Sequence, residues 1–377
     1  LNLTPAALTL NGGTFAATAS YTLAANRGIT LTAASNLGVD AGMTLTYGGA
    51  VSGAFGLTKV GTGTLVLSAS NTYSGDTTVS AGTLKIGNGG SSGSLYSPSM
   101  SGGNLGFGGA GAIVNDGTLI YDIAGGAVHV NRTIGGLGTV SVTGNQSVHF
   151  ADGTTISTTG AQAYSATATG NRYHGFNLAD NASVALTSFG AISMTGMLGT
   201  ANGHTGRLTI NTCAGNSDVT LNTPVGVSGV DYGLAELTVN AGTGAITLGT
   251  HNGQAWGTAN TLSFTGGAVN ATANLNSFST LTVTNSVGGT FSGVLSGSGS
   301  LTKAGIGTLT LTAHNGYAGG TNINAGTLNI DVQGHQGASA VGVNKAVFVA
   351  SGATLRLNKT DGLGYYGANP SSLTSAG

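Results

Sequence analysis

A 30-residue segment occurs twice in this chain, and no other feature constrains the fold as strongly. Leu57–Ile86 reads LTKVGTGTLVLSASNTYSGDTTVSAGTLKI and Leu301–Ile330 reads LTKAGIGTLTLTAHNGYAGGTNINAGTLNI. Aligned without a gap, 18 of the 30 positions are identical, and the copies start 244 residues apart. That separation excludes slippage within one low-complexity tract. A repeated sequence unit implies a repeated structural unit.

The unit breaks into short strand-like pieces. Gly63–Ser68 places Leu65 and Leu67 on one face, Asn71–Gly75 reads as a turn, and Thr77–Ser80 reads as a second strand. Ala81-Gly82 turns the chain into Thr83–Ile86, where Leu84 and Ile86 face one way. Alternation with period two marks half-buried strands. Strands this short, punctuated by Gly and Asn, fit the coils of a solenoid, each strand stacking on its counterpart one turn later. Leu309, Leu311, Leu328 and Ile330 repeat the apolar positions in the second copy, and Tyr73 has its counterpart in Tyr317. The same grammar recurs at Asp40–Tyr47, Asn115–Tyr121, Asn240–Leu248 and Ser351–Leu357. These instances are spread over the chain, so the expectation is one continuous all-β parallel solenoid over residues 1–377, with about 20–30 residues per coil. The Gly-rich stretches Gly87–Gly93 and Gly102–Gly111 are expected to leave the coil as loops, and Ala161–Gly206 is its least regular part. No helical period appears.

Composition agrees with strands and turns. The chain has 69 Gly and only 6% charged residues, against 40% hydrophobic. Soluble domains carry about 25% charge, yet disordered chains are poor in apolar residues. Net charge is −1, and the basic residues form no cluster that would bind nucleic acid. No apolar run is long enough for a transmembrane helix. The lone Cys213 cannot form an intramolecular disulfide. The first residue is Leu1, which suggests a processed or trimmed chain whose signal peptide is already gone.

The segments GTLVL, NTYSGDTTV and AGTL of the first copy, and GTLTL, NGYAGGT and AGTL of the second, resemble the passenger-associated β-strand repeat of bacterial autotransporters. The resemblance implies a secreted bacterial right-handed parallel β-helix, located outside the cell or on its surface. It implies scaffold and carries no catalytic residues. Autotransporters also have a C-terminal membrane barrel, and this sequence reaches Gly377 without one. The expectation is a released passenger, or a surface protein exported by another route.

No catalytic, cofactor or metal constellation survives a test of context. Gly106, Gly108 and Gly111 have dinucleotide spacing, but that motif needs a strand before it and a helix after it. Gly89–Gly93 matches a nucleophile elbow and fails on the same ground. Gly135-Gly136-Leu137-Gly138 begins like a calcium roll but has Val140 where Asp is required. Asp116 and Asp122 are near in sequence, as are Asp218, Asp231 and Glu236. Asp231 and Glu236 are the best seed for a polysaccharide-active pair. His129 and His149 could meet on neighbouring coils. Arg172, Tyr173, His174, Tyr365 and Tyr366 are the surface-contact candidates, because aromatic and Arg side chains favour interfaces.

A structural role follows as the first expectation: an extracellular solenoid that assembles with itself into a fibre, sheath or layer. Low charge removes the repulsion that keeps monomers apart. The apolar end segments Leu1–Leu10 and Ala346–Leu357 read as open edges for stacking or strand exchange. The alternative is an adhesin passenger that grips host or neighbouring cell surfaces, their glycans or the envelope. An enzyme on a β-helix is the remote reading.

Overall fold

The computed structural model describes residues 7–69, 71–89, 104–105, 111–123, 127–130, 133–144, 148–166, 175–179, 181–200, 206–223, 225, 233–251, 255–257, 259–333, 339, 341, 346–360, 362–363 and 373–375. Among them the regular elements are all β-strands, and the ladders between them are parallel. The chain forms two compact units, Leu1–Asn177 with Ala185–Ser188, and Leu178–Val184 with Phe189–Gly377.

The first unit is a parallel β-solenoid. On one face Leu57–Val60 pairs with Thr77–Val79, which pairs in turn with Ile113–Asn115. On the next face Thr44–Tyr47, Thr64–Leu67, Thr83–Ile86, Thr118–Ile123 and Thr139–Gly144 stack in order. Strands that are neighbours in a ladder are never neighbours in sequence, because the chain visits a second face before it returns. The second unit repeats the plan. Leu234–Asn240, Ala259–Gly266, Phe278–Asn285, Ser300–Ala304 and Thr321–Ile323 build one face, and Gly288–Phe291, Thr308–Leu311, Thr327–Ile330 and Thr354–Leu357 build another.

The 30-residue repeat is long enough to pair with itself. Leu57 lies beside Thr77 and Lys59 beside Val79, while Leu65 lies beside Leu84 and Leu67 beside Ile86. In the second copy Leu301 lies beside Thr321, Leu309 beside Leu328, and Leu311 beside Ile330. One complete coil and part of the next therefore fall within each copy.

The period-two pattern sorts side chains inward and outward. Leu65, Leu67, Tyr73, Leu84 and Ile86 are all buried, as are Leu309, Leu311, Tyr317, Leu328 and Ile330. Full burial of each such aliphatic side chain stabilises the coil by about 2 kcal/mol. Larger rings fill wider parts of the core. Phe150, Tyr164 and Phe176 cluster with centroids 6.0 to 6.4 Å apart in the first unit. Trp256 is buried in the second and donates its indole N–H to the Gly249 carbonyl at 3.0 Å.

Three expectations change. The Gly-rich stretch 102–111 is not all loop, because Asn104–Leu105 is a strand in register with Ala127-Val128. The stretch 161–206, read from sequence as the least regular, supplies strands to the ladders where it is described. Gln162–Ala166 stacks on Thr139–Gly144, and Ile192–Thr195 on Val219–Asn222. Polar Gln162, Ser188 and Thr200 take buried inward positions there, which breaks the apolar alternation. The segment 346–357 is not wholly an open edge either, because Val347–Val349 is paired on both flanks, with Thr321–Ile323 and Leu373–Ser375.

Candidate functional site

The most elaborate polar chemistry in the chain lies inside the repeat. Lys59 follows Leu57 by two positions and so points inward, where it is fully buried. Its Nζ donates to the carbonyls of Val60, Gly61 and Ala81 at 2.9, 2.6 and 3.3 Å. Lys303 is its counterpart, donating to Ala304, Gly305 and Ala325 at 2.6, 2.8 and 3.1 Å. At the corner between two faces the ladder carbonyls lose their strand partners, and an ammonium with three protons serves three of them. Burial pulls both amines down to about 8, so they remain ammonium at neutral pH. A Lys in an apolar strand reads from sequence as an exposed polar residue. The only available signal was its inward parity with Leu57.

Two further inward polar groups complete the coil. Asn71 accepts from the Val51 N–H at 3.0 Å and donates to the Ala69 carbonyl at 3.1 Å. Asn315 accepts from the Leu295 N–H at 2.7 Å. The segment Asn71–Gly75, read from sequence as a turn, carries buried Asn71 and Tyr73. Tyr73 shares a hydrogen bond with Thr77 at 2.6 Å, and Tyr317 with Thr321 at 2.5 Å. All of this is scaffold chemistry.

Among the described residues, several carboxylates are engaged in the coil. Asp116 accepts from the Leu137 N–H at 2.9 Å and Asp218 from the Ala245 N–H at 2.8 Å. Asp122 pairs with Lys85 at 2.5 Å. Glu236 pairs with Arg207 at 3.7 Å, and Asp231 lies outside the described residues. Backbone register sets His129 beside His149, whose imidazole is held below its ordinary range by burial. Among the described residues no three His, Cys, Asp or Glu side chains gather as a metal site. Arg172, Tyr173, His174, Tyr365 and Tyr366 all lie outside the described residues.

What the described chain offers to a partner is its outer surface. Among the described residues the most exposed large apolar side chains sit at the corners between faces: Leu137 in the first unit, Val287 and Ile306 in the second, with 68%, 72% and 83% exposure. Val287 and Ile306 occupy consecutive coils, because the Thr308 N–H donates to the Val287 carbonyl at 3.0 Å.

Fold and repeat together define a class: a parallel β-solenoid built on a secretion-passenger repeat. The family model described as the passenger-associated-transport-repeat matches residues 57–86 and 301–330, the two copies found above. Over 134 residues, or 36% of its length, the chain is 34% identical to the adhesin BmaC autotransporter of Brucella suis biovar 1 (strain 1330). The matched region spans only 3% of that protein's length. No solved structure matches the chain.

Proposed function

We propose that this chain is part of an autotransporter passenger displayed on a bacterial surface, and that it acts as an adhesin. The observation that carries this reading is the double passenger repeat, which folds as self-pairing coils, joined to the sequence likeness to an adhesin autotransporter. A solenoid offers its outward faces to a partner and needs no catalytic centre to grip a surface. The self-assembling fibre has weaker support, since the likeness is to an adhesin and one of its expected open edges is paired.

The test is adherence. Beads coated with the purified chain should bind cultured cells, bacterial cells or extracellular-matrix coats saturably, and excess soluble chain should compete. Beads that bind none of these above an albumin control would sink the reading. Filaments in electron micrographs of the same preparation would restore the fibre.

A further inference from the structure

Two fully buried asparagines, one in each unit, stand at the same corner of the coil. Asn115 ends the strand Ile113–Asn115 and Asn285 ends the strand Phe278–Asn285. The Asn115 Nδ2 donates to the Thr139 carbonyl at 2.8 Å, and the Asn285 Nδ2 to the Thr308 carbonyl at 2.9 Å. Each acceptor opens a strand of the adjoining face, one coil further on. The backbone carbonyls of the two asparagines accept from the Gly138 and Gly307 N–H groups at 2.7 and 2.9 Å. The sequences on that next coil correspond too, as Gly136-Leu137-Gly138-Thr139 and Gly305-Ile306-Gly307-Thr308. The first of these overlaps the run that begins like a calcium roll.

The side-chain Oδ1 of Asn115 and that of Asn285 have no donor among the described residues. Turning the amide over does not help. It would set Oδ1 against the Thr139 or Thr308 carbonyl, oxygen to oxygen, and forfeit the bond already made. Buried acceptors are nearly always satisfied, by protein or by ordered water. The same orphan, with the same bonds around it, recurs in both units and so belongs to the design of the corner.

The chemistry of the corner restricts what can satisfy it. The guest must donate a hydrogen bond. It must be small, because the next coil passes close by, with Gly136 and Gly305 against the asparagine backbone. A hard metal cation wants six or more oxygens, and each corner has one idle side-chain oxygen. Lys59 shows the alternative solution. Val79 lies beside Lys59 on one coil and beside Asn115 on the other, so both stand in one inward column. Lys59 brings an ammonium with three donors to its corner, whereas Asn115 is shorter and brings an amide.

We propose that each asparagine corner binds one water molecule, which donates one proton to Oδ1 and the other to a corner carbonyl. A carbonyl oxygen has two lone pairs, so those that take the Gly138 and Gly307 N–H groups can also take the water's proton. Asparagine and water together replace the lysine ammonium, and the water is held whatever the outward faces grip. Buried waters of this kind make about three hydrogen bonds to groups left unpaired by the protein.

The experiment counts long-lived internal waters in the full purified chain by oxygen-17 magnetic relaxation dispersion. Asn115→Lys puts an ammonium into the column of Lys59, so it should expel the water and lower the dispersion amplitude by one molecule. Thr30→Lys, on the exposed side of a strand in the same unit, should leave the amplitude unchanged. Circular dichroism checks that both variants keep their strand content. If Asn115→Lys misfolds, the wild-type chain carries the test. With labelled asparagine amides, the Nδ2 protons of Asn115 and Asn285 should cross-relax with water that tumbles with the protein. An unchanged amplitude in folded Asn115→Lys overturns the proposal, as does an equal loss in Thr30→Lys or a wild-type chain without cross-relaxation. Broadening of sodium or potassium resonances by the wild-type chain, abolished in Asn115→Lys, overturns it too and assigns the corner to a metal cation.

Discussion

The ammonium of Lys59 donates to the carbonyl of Ala81, one coil further along the solenoid, at 3.3 Å. That bond ties two coils together at a corner where strand hydrogen bonds end. Its counterpart is the 3.1 Å bond from Lys303 to Ala325. Replacing either lysine by Met keeps the aliphatic volume and leaves three corner carbonyls without a donor. Orphaning buried acceptors costs about 3 kcal/mol in such a site. Lys59→Met and Lys303→Met should therefore each lower the urea midpoint of their own unit. Lys85→Met, which removes a half-buried surface ion pair, should cost less than about 1 kcal/mol. Equal small losses for all three would refute the corner role.

Much of the coil was legible in the sequence because it depends on period and punctuation. The alternation at Leu65 and Leu67 gave the inward face, and the duplicated segment gave the self-pairing unit. Lys59 and Asn71 were missed because their chemistry is decided by ends of strands, which no residue pattern marks. A polar residue in an inward position reads as an error in the alternation until the corner carbonyls are seen. The strands at 162–200 were missed for another reason. Gln162, Ser188 and Thr200 stand at inward positions and break the apolar contrast on which period two depends.

Gly82 and Gly326 close the tight corner in the two copies, with φ of +67° and +65°. A Cβ on Gly82 would lie 2.5 Å from the Gly63 carbonyl oxygen, and on Gly326 2.4 Å from that of Gly307. Both the backbone conformation and the space exclude a side chain. Gly352 also has positive φ, at +77°, but a Cβ there would meet nothing within 4 Å. Gly82→Ala and Gly326→Ala should destabilise by more than about 2 kcal/mol, and Gly352→Ala by about 1 kcal/mol, the cost of the left-handed conformation alone. Thermal melts of the three variants separate the two contributions. The same loss in all three would mean that the close approach is relaxed at no cost.

Tyr317 hydrogen-bonds Thr321, and Thr321 donates onward to the Val341 carbonyl at 3.0 Å. Thr321 has one proton and has used it, so the phenol is the donor. Tyr317→Phe removes that donor while keeping the ring that packs 6.1 Å from Phe278. The loss should be about 1 kcal/mol. Thr321→Val removes the whole chain of bonds and strands both the phenol and the Val341 carbonyl, so it should cost more than Tyr317→Phe. A denaturant series that finds Thr321→Val the milder change would reverse the assigned direction of the bond.

Stability should pass through a maximum in alkali. Lys59 and Lys303 titrate at about 8 in the folded chain, against 10.5 for an ordinary lysine. Between those values the unfolded chain binds more protons than the folded one, so stability rises with pH through that window. Tyr47, Tyr164 and Tyr317 are shifted the other way, above the ordinary 10.0, chiefly by burial. Once pH passes 10.0, the unfolded chain loses phenol protons that the folded chain keeps, and stability falls. Urea midpoints measured from pH 7 to 11 should therefore climb from about pH 8 and turn down above about pH 10. The double variant Lys59→Met, Lys303→Met should lose the climbing limb and keep the falling one. A wild-type profile that is flat between pH 8 and 10 would mean that the corner carbonyls hold the ammonium charged against its burial.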